Sequence, residues 1–256
     1  MVEINYLTKE EQKAWEYLKD KEIIDNELFN QIFPEIKENK RNKLLHNLYK
    51  KGYLNKARKD LYYNPKTLKG FHKLALRYKE GYIALTSALR HYNLTDYEDF
   101  TIFIATKSFQ KKISLKGTEY SINFIPLHDL YIGFTKTKDI YISTIEKTIF
   151  DCLLKPNLIG LQNITKAIYD AKIDWKKLLE FFKLTNNNAL KQRTGYILEL
   201  LKTETKLKIP EFVFNYLADN IKDRVKLTPL KSKSIYDNKW KIQDNLGKEN
   251  ILSWWQ

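Results

Sequence analysis

The chain has 256 residues, 45 of them Lys or Arg against 31 Asp or Glu, for a formal charge of +14, and 43% of its positions are apolar. Its 17 Tyr, 13 Phe and 5 Trp are ample material for a core and exclude a disordered polycation, while 8 Gly and 6 Pro exclude collagen-like or Pro-rich chains. The basic balance favours a polyanionic partner such as nucleic acid, and where the charge sits decides how far that goes.

It sits unevenly. Residues 1–34 hold four basic and eight acidic side chains, residues 35–69 eleven basic and three acidic; a codon bias toward lysine would spread them evenly. Thr8 with Glu11 three positions on is a capping-box signature, and Ala14, Trp15 and Leu18 give one apolar face of a first helix. Asp25 caps a second, with Leu28, Phe29 and Ile32 as its buried stripe and Pro34 as its stop. A third helix begins between Lys37 and Asn39 and ends at Gly52. A wheel at about 100° per residue puts Leu44, Leu45, Leu48 and Tyr49 on one arc and Asn39, Lys43, His46, Asn47 and Lys50 on the other. A helix entering the major groove needs that division, with cations at its flanks for phosphates and Asn or Lys at the groove floor for base edges. Residues 53–56 and 61–64 then read as two short strands around 57–60, a wing with cations near its tip. Residues 1–69 are thus expected to form a winged helix-turn-helix. The candidate contacts to double-stranded operator DNA are Asn39, Lys40, Arg41, Asn42, Lys43, His46, Asn47 and Lys50 on the third helix and Lys56, Arg58 and Lys59 on the wing.

Residues 64–70, bracketed by Pro65 and Gly70, mark a boundary, and 70–256 read as a second, larger domain. Stretches 71–78 and 85–92 look helical. Alternating or β-branched runs follow at 101–106, 113–116, 120–125, 130–134 and 140–143, which predicts a mainly antiparallel sheet. Helical patterns return at 145–154, 161–171, 175–182, 189–202 and 212–220. The fold class is therefore α+β, a winged helix-turn-helix followed by a domain with a mainly antiparallel sheet and a helical C-terminal half.

Four segments resemble the AbiEi antitoxins and related predicted regulators of viral defence systems. Gly81-Tyr82-Ile83-Ala84-Leu85-Thr86-Ser87-Ala88-Leu89 with Asn93-Leu94-Thr95 is similar to the family's tyrosine-aliphatic-serine helix closing in Gly-Leu-Thr, and Thr101-Ile102-Phe103-Ile104-Ala105-Thr106 to its next strand. Ser143-Thr144-Ile145-Glu146-Lys147-Thr148-Ile149-Phe150-Asp151 resembles the Pro-Glu-Arg-Thr-Leu-Leu-Asp segment, and Arg193-Thr194-Gly195-Tyr196-Ile197-Leu198-Glu199 the late Arg-x-Gly-Tyr-Leu-Leu-Glu helix. Ile145 replaces the usual proline, Lys147 the usual arginine and Asn93 the usual glycine. The resemblance covers about residues 7–205. It implies an N-terminal winged helix that represses its own operon and a C-terminal domain needed for antitoxin activity in a type IV toxin–antitoxin pair of antiviral defence. Its functional partner would be a nucleotidyltransferase-like toxin, with no stable complex assumed. Glu146, Lys147, Asp151, Arg193 and Gly195 are the motif residues of that domain. On the residues alone, Thr144 is a helix cap, Asp151 and Arg193 could pair, and Gly195 inside a helix suggests close approach of another element.

No enzyme constellation stands out. There is no Gly-x-x-x-x-Gly-Lys loop and no Gly-Ser dipeptide, so neither a phosphate-cradling loop nor the nucleotidyltransferase signature is present. The alternative is a metal-dependent nuclease docking through the winged helix, for which Asp139, Glu146 and Lys147 are the available residues. One cysteine, Cys152, and four scattered histidines give no zinc pattern, so no metal and no cofactor is expected. No run approaches the roughly 18 apolar residues of a membrane span and the opening MVEINYLTKEEQ is too polar for a signal peptide, so the chain reads as soluble and cytoplasmic with no membrane partner.

Overall fold

The computed structural model describes residues 6–138 and 140–255. These divide into two compact units, one built from residues 1–83, 100–126 and 137–141 and the other from 84–99, 127–136 and 142–256. The mixed α+β class is observed; the expected boundary at 69/70 lies inside the first unit.

The first unit opens with α1 (Lys9–Leu18), whose capping box is complete: the Glu11 N–H donates to the Thr8 hydroxyl and the Thr8 N–H to the Glu11 carboxylate. β1 (Ile23–Asp25) leads into α2 (Asn26–Ile32), where Asp25 accepts from the Leu28 N–H as N-cap. α3 (Glu38–Lys50) closes at Gly52, whose φ of +78° suits glycine. β2 (Asn55–Arg58) and β3 (Leu61–Tyr63) form an antiparallel hairpin, and β1 pairs on the far side of β3 to give the order β1-β3-β2. Ala14, Leu18, Ile24, Phe29, Leu45 and Leu48 lie in the core these elements close. The hairpin starts two residues later than expected, because the N–H groups of Tyr53 and Leu54 donate to the Leu48 carbonyl and so finish α3 rather than begin a strand. β1 is absent from the sequence pattern, because three residues carry too little alternation to register; its pairing with β3, from Ile23↔Tyr63 to Asp25↔Leu61, defines it.

α4 (Phe71–Tyr78) is tied to this first part of the chain. Glu22 accepts from the Lys69 and Gly70 N–H groups at 3.1 and 2.6 Å, and Arg77 pairs with Asp25. β4 (Tyr82–Ile83) follows, and beyond α5 (Leu85–His91), which belongs to the second unit, come β5 (Thr101–Thr106), β6 (Ile113–Ser114) and β7 (Ser121–Pro126). They order as β6-β7-β5-β4. The β4–β5 and β6–β7 pairs are antiparallel as expected, but the longest ladder, β5–β7, is parallel over six residue pairs. The long connection 107–120 lets the chain return to the start of β5 before pairing, and β5, buried on both faces, has the composition of a parallel central strand. β8 (Phe134–Thr137) and β9 (Ile140–Ser143) follow; residues 137–141 belong to the first unit and those on either side to the second. The strand expected at 130–134 is displaced: His128–Leu130 form a 3-10 turn and Gly133, at φ +73°, bends the chain ahead of β8.

The second unit packs α5, α6 (Ile145–Leu154), α7 (Leu161–Asp170), α8 (Trp175–Lys183) and α9 (Asn188–Thr205) around the buried face of α6, which carries Ile149, Phe150 and Leu153. α10 (Glu211–Ala218) precedes a small sheet of β10 (Val225–Lys226), β11 (Ile235–Asp237) and β12 (Ile242–Asp244), ordered β10-β12-β11, and α11 (Lys248–Ile251) ends the regular structure. This last fifth of the chain docks on α9. A Cβ at Gly195 would run into the Trp240 ring, so the glycine makes the notch in which that indole lies. Trp240 Nε1 donates to Glu199, Gln192 donates to the carbonyls of Asp223 and Trp240, and the Tyr196 hydroxyl donates to Asp244 at 2.8 Å.

Candidate nucleic-acid interface

α3 spans 13 residues, a rod of about 20 Å. Its apolar side faces the core through Leu44, Leu45 and Leu48. On the opposite side Asn39, Lys43, His46 and Lys50 are all exposed, and Asn42 is half-buried beside them. Lys56, Arg58 and Lys59 of the adjoining hairpin are exposed as well. Lys56 Nζ lies 5.7 Å from the Tyr62 ring, and Arg58 donates to the carbonyls of Arg77 (3.0 Å) and Lys59 (3.2 Å), which holds its guanidinium along the hairpin. The turn falls at Lys59-Asp60, with Asp60 at φ +58°.

Three expected contacts are differently placed. Arg41 is 5% exposed; its guanidinium donates to Asn30 and lies 3.7 Å from Glu38, so it braces α3 against α2 and is corrected from a surface contact to an internal one. Lys40 is exposed but pairs with Glu10 of α1 at 2.8 Å. Asn47 is half-buried and donates to Glu11 at 2.8 Å, which turns its amide toward α1. Arg41 carried a readable signal: with Leu44, Leu45 and Leu48 it falls at i, i+3, i+4 and i+7, on the apolar arc.

Glu11, which the sequence marked only as a helix cap, organises this side of the unit. It is 2% exposed and accepts from Lys51 Nζ (2.6 Å), the Thr8 N–H (2.8 Å) and Asn47. Burial alone would raise its pKa, but the hydrogen bonds from Lys51, Thr8 and Asn47 outweigh burial and hold the carboxyl down at about 2. The acidic edge of α1 therefore occupies Lys40, Asn47 and Lys51, and among the described residues Lys43 and Lys50 are α3 cations with no ion-pair partner.

The motif residues of the second unit are structural in their contacts. Lys147 and Asp151 form a buried ion pair one helical turn apart on α6, 0% and 1% exposed at their side chains, with Lys147 Nζ 5.3 Å from the Phe150 ring and 5.8 Å from that of Phe181. Burial pushes the Lys147 ammonium down and Asp151 opposes that shift. Glu146 accepts from the Asp174 N–H at 3.2 Å, at the start of α8. Arg193 does not meet Asp151; its Nε donates to the Lys226 carbonyl at 2.9 Å, beside the Trp240 notch. Asp139 lies outside the described residues. Lys147 is sealed in the core, so its ammonium is not presented at the surface beside Glu146.

No family model matches the chain, and no curated protein matches it. Among solved structures it is similar to the RV2827C protein from Mycobacterium tuberculosis, with a TM-score of 0.62 and 13% identity over 98% of this chain and 95% of that one. At that identity the likeness bears on the fold alone.

Proposed function

We propose that the protein is a sequence-specific DNA-binding repressor of its own operon and the antitoxin of a type IV toxin–antitoxin pair in antiviral defence, with α1 to α3 and β1 to β3 acting as a winged helix-turn-helix. One observation carries the DNA part: the outward side of α3 presents Asn39, Lys43, His46 and Lys50 beside a hairpin bearing Lys56, Arg58 and Lys59, while Glu10 and Glu11 of α1 are engaged by Lys40 and Lys51 on the helix's flank. α3 lies in the major groove with Asn39 and His46 toward base edges, and Lys43 and Lys50 at the phosphates; the hairpin cations grip the adjoining backbone. The antitoxin part rests on the four family-like segments, with a nucleotidyltransferase-like toxin as the functional partner and the cytoplasm as the place of action. Among the described residues no helix is long and apolar enough to cross a membrane.

A duplex from the region upstream of the gene is compared with a scrambled duplex by fluorescence anisotropy, and the neighbouring nucleotidyltransferase gene is expressed with and without this chain. Tighter binding to the native duplex and rescue of growth are expected. Equal affinity for both duplexes rejects the repressor, failure of rescue rejects the antitoxin, and cleavage of labelled duplex in Mg²⁺ or Mn²⁺ favours a nuclease instead.

A further inference from the structure

The small sheet of the second unit ends in an open edge. β11 pairs antiparallel with β12 through Ile235↔Asp244, Tyr236↔Gln243 and Asp237↔Ile242, and among the described residues no other strand pairs with it. Ile235 is 78% exposed, and Leu230, in the loop leading into β11, is also exposed. An edge strand presents unpaired N–H and C=O groups on its open side, and an exposed aliphatic residue on such an edge marks a place where another strand fits.

The segment leading into β11 is held in place. The Asn245 side chain, nearly fully buried, accepts from the N–H and hydroxyl of Thr228 at 3.0 and 3.1 Å and donates to the carbonyls of Thr228 and Leu230 at 3.0 and 2.6 Å. Ser232 donates its hydroxyl to the Asn245 carbonyl. One buried amide thus fixes the loop that presents Lys231 and Lys233, both exposed. Residues 221–241 hold seven basic side chains and two acidic ones.

We propose that β11 and the loop before it are a docking edge for an extended, acidic segment of a partner polypeptide, which adds a strand beside β11 and sets its carboxylates against Lys231 and Lys233. The open backbone supplies hydrogen bonds to any extended chain, Ile235 and Leu230 supply apolar contact, and the lysines select the sign of the partner's charge. The loop is already ordered, so little conformational freedom is lost on docking. The same lysines oppose a second copy, because pairing β11 with β11 brings like charges together. A nucleic acid would leave the strand edge and the two aliphatic side chains unmatched, and Arg224, 4.8 Å from the Tyr236 ring, already covers a face on which a base would stack. The edge belongs wholly to the second unit and does not depend on the DNA reading.

The test uses the full chain, a fluorescein-labelled peptide of alternating Glu and Val, its Lys-Val counterpart and a labelled single-stranded oligonucleotide. The acidic peptide is expected to bind and the basic one not to, with amides 235–237 gaining protection from deuterium exchange. Lys231→Glu with Lys233→Glu is expected to weaken binding about tenfold, and Ile235→Asp to weaken it independently. Both variants change exposed side chains, and an unchanged unfolding midpoint shows that the fold persists. The proposal is overturned by no binding of the acidic peptide, by binding that both variants leave intact, or by binding without protection of β11. Oligonucleotide binding lost in the double-lysine variant but kept in Lys43→Ala/Lys50→Ala assigns the patch to nucleic acid instead. Self-association abolished by Ile235→Asp assigns it to a second copy.

Discussion

Two buried carboxylates show how single residues set the chemistry around them. Glu11 titrates near 2 when folded, well below the ordinary range near 4.5. A depressed folded value means that its contribution to stability is fully present above the unfolded pKa and is lost as pH falls through the folded one. Glu11→Gln is therefore expected to be less stable than the parent chain above about pH 5, with the difference shrinking toward pH 2. Urea unfolding at both ends of that window checks it, and a difference independent of pH would show that Asn47 and Lys51 do not depend on the ionised form. Asp151 is the second case. Lys147→Met leaves that carboxylate buried without its counter-charge, an expected loss of about 3–5 kcal/mol, whereas Lys147→Met with Asp151→Leu removes both charges and recovers most of it. If the double variant is no more stable than the single one, the pair does not act as a unit.

At the scale of the element, α3 shows what its own residues reveal and what they leave out. Among the described residues Lys43 and Lys50 pair with no carboxylate, so replacing both by Ala is expected to reduce the salt dependence of operator binding by about 1.8, at roughly 0.9 for each lost phosphate contact. Arg41→Ala is expected to leave that slope unchanged and to destabilise the first unit, which separates an interface cation from a bracing one. Anisotropy titrations between low and moderate salt measure the slope, and an unchanged slope in the lysine variant removes the proposed phosphate contacts. The amphipathic division of α3 was legible because a helix repeats its faces at fixed angular steps. The engagement of Asn47 was not, because its acceptor, Glu11, is 36 residues away on another helix and leaves no trace in the local pattern. Gly195 was legible as a packing glycine, since a helix interior disfavours it, but Trp240 as the ring it admits is not encoded in α9. The parallel β5–β7 ladder was hidden for a similar reason: strand direction depends on how the connecting segment returns, and alternation within each strand is blind to it.

Over the whole first unit, the residues proposed to touch DNA all lie before position 60, yet the part of the chain that supports them extends much further. Tyr63, 1% exposed, donates its hydroxyl to the Lys116 carbonyl at 2.9 Å, and Asn55 donates to the same carbonyl at 2.6 Å. Both donors belong to the hairpin, and their acceptor lies in the turn between β6 and β7. A fragment of residues 1–69 keeps every proposed DNA contact but loses that acceptor, and it also loses Arg77 as the partner of Asp25. Two hydrogen bonds at about 1 kcal/mol each and a partly exposed ion pair worth less put the loss from these three contacts alone at about 2–3 kcal/mol. Tyr63→Phe tells this coupling apart from a general weakness of short chains. In the full chain the substitution removes one of the two donors to the Lys116 carbonyl and is expected to cost about 1 kcal/mol. In the fragment the hydroxyl has no such partner, so the same substitution is expected to be nearly neutral. Unfolding free energies of the four proteins, fragment and full chain each with Tyr63 or Phe, give the coupling directly. Equal costs in both backgrounds would place the hydroxyl's role within residues 1–69 and restore the 69/70 boundary as the edge of an autonomous unit.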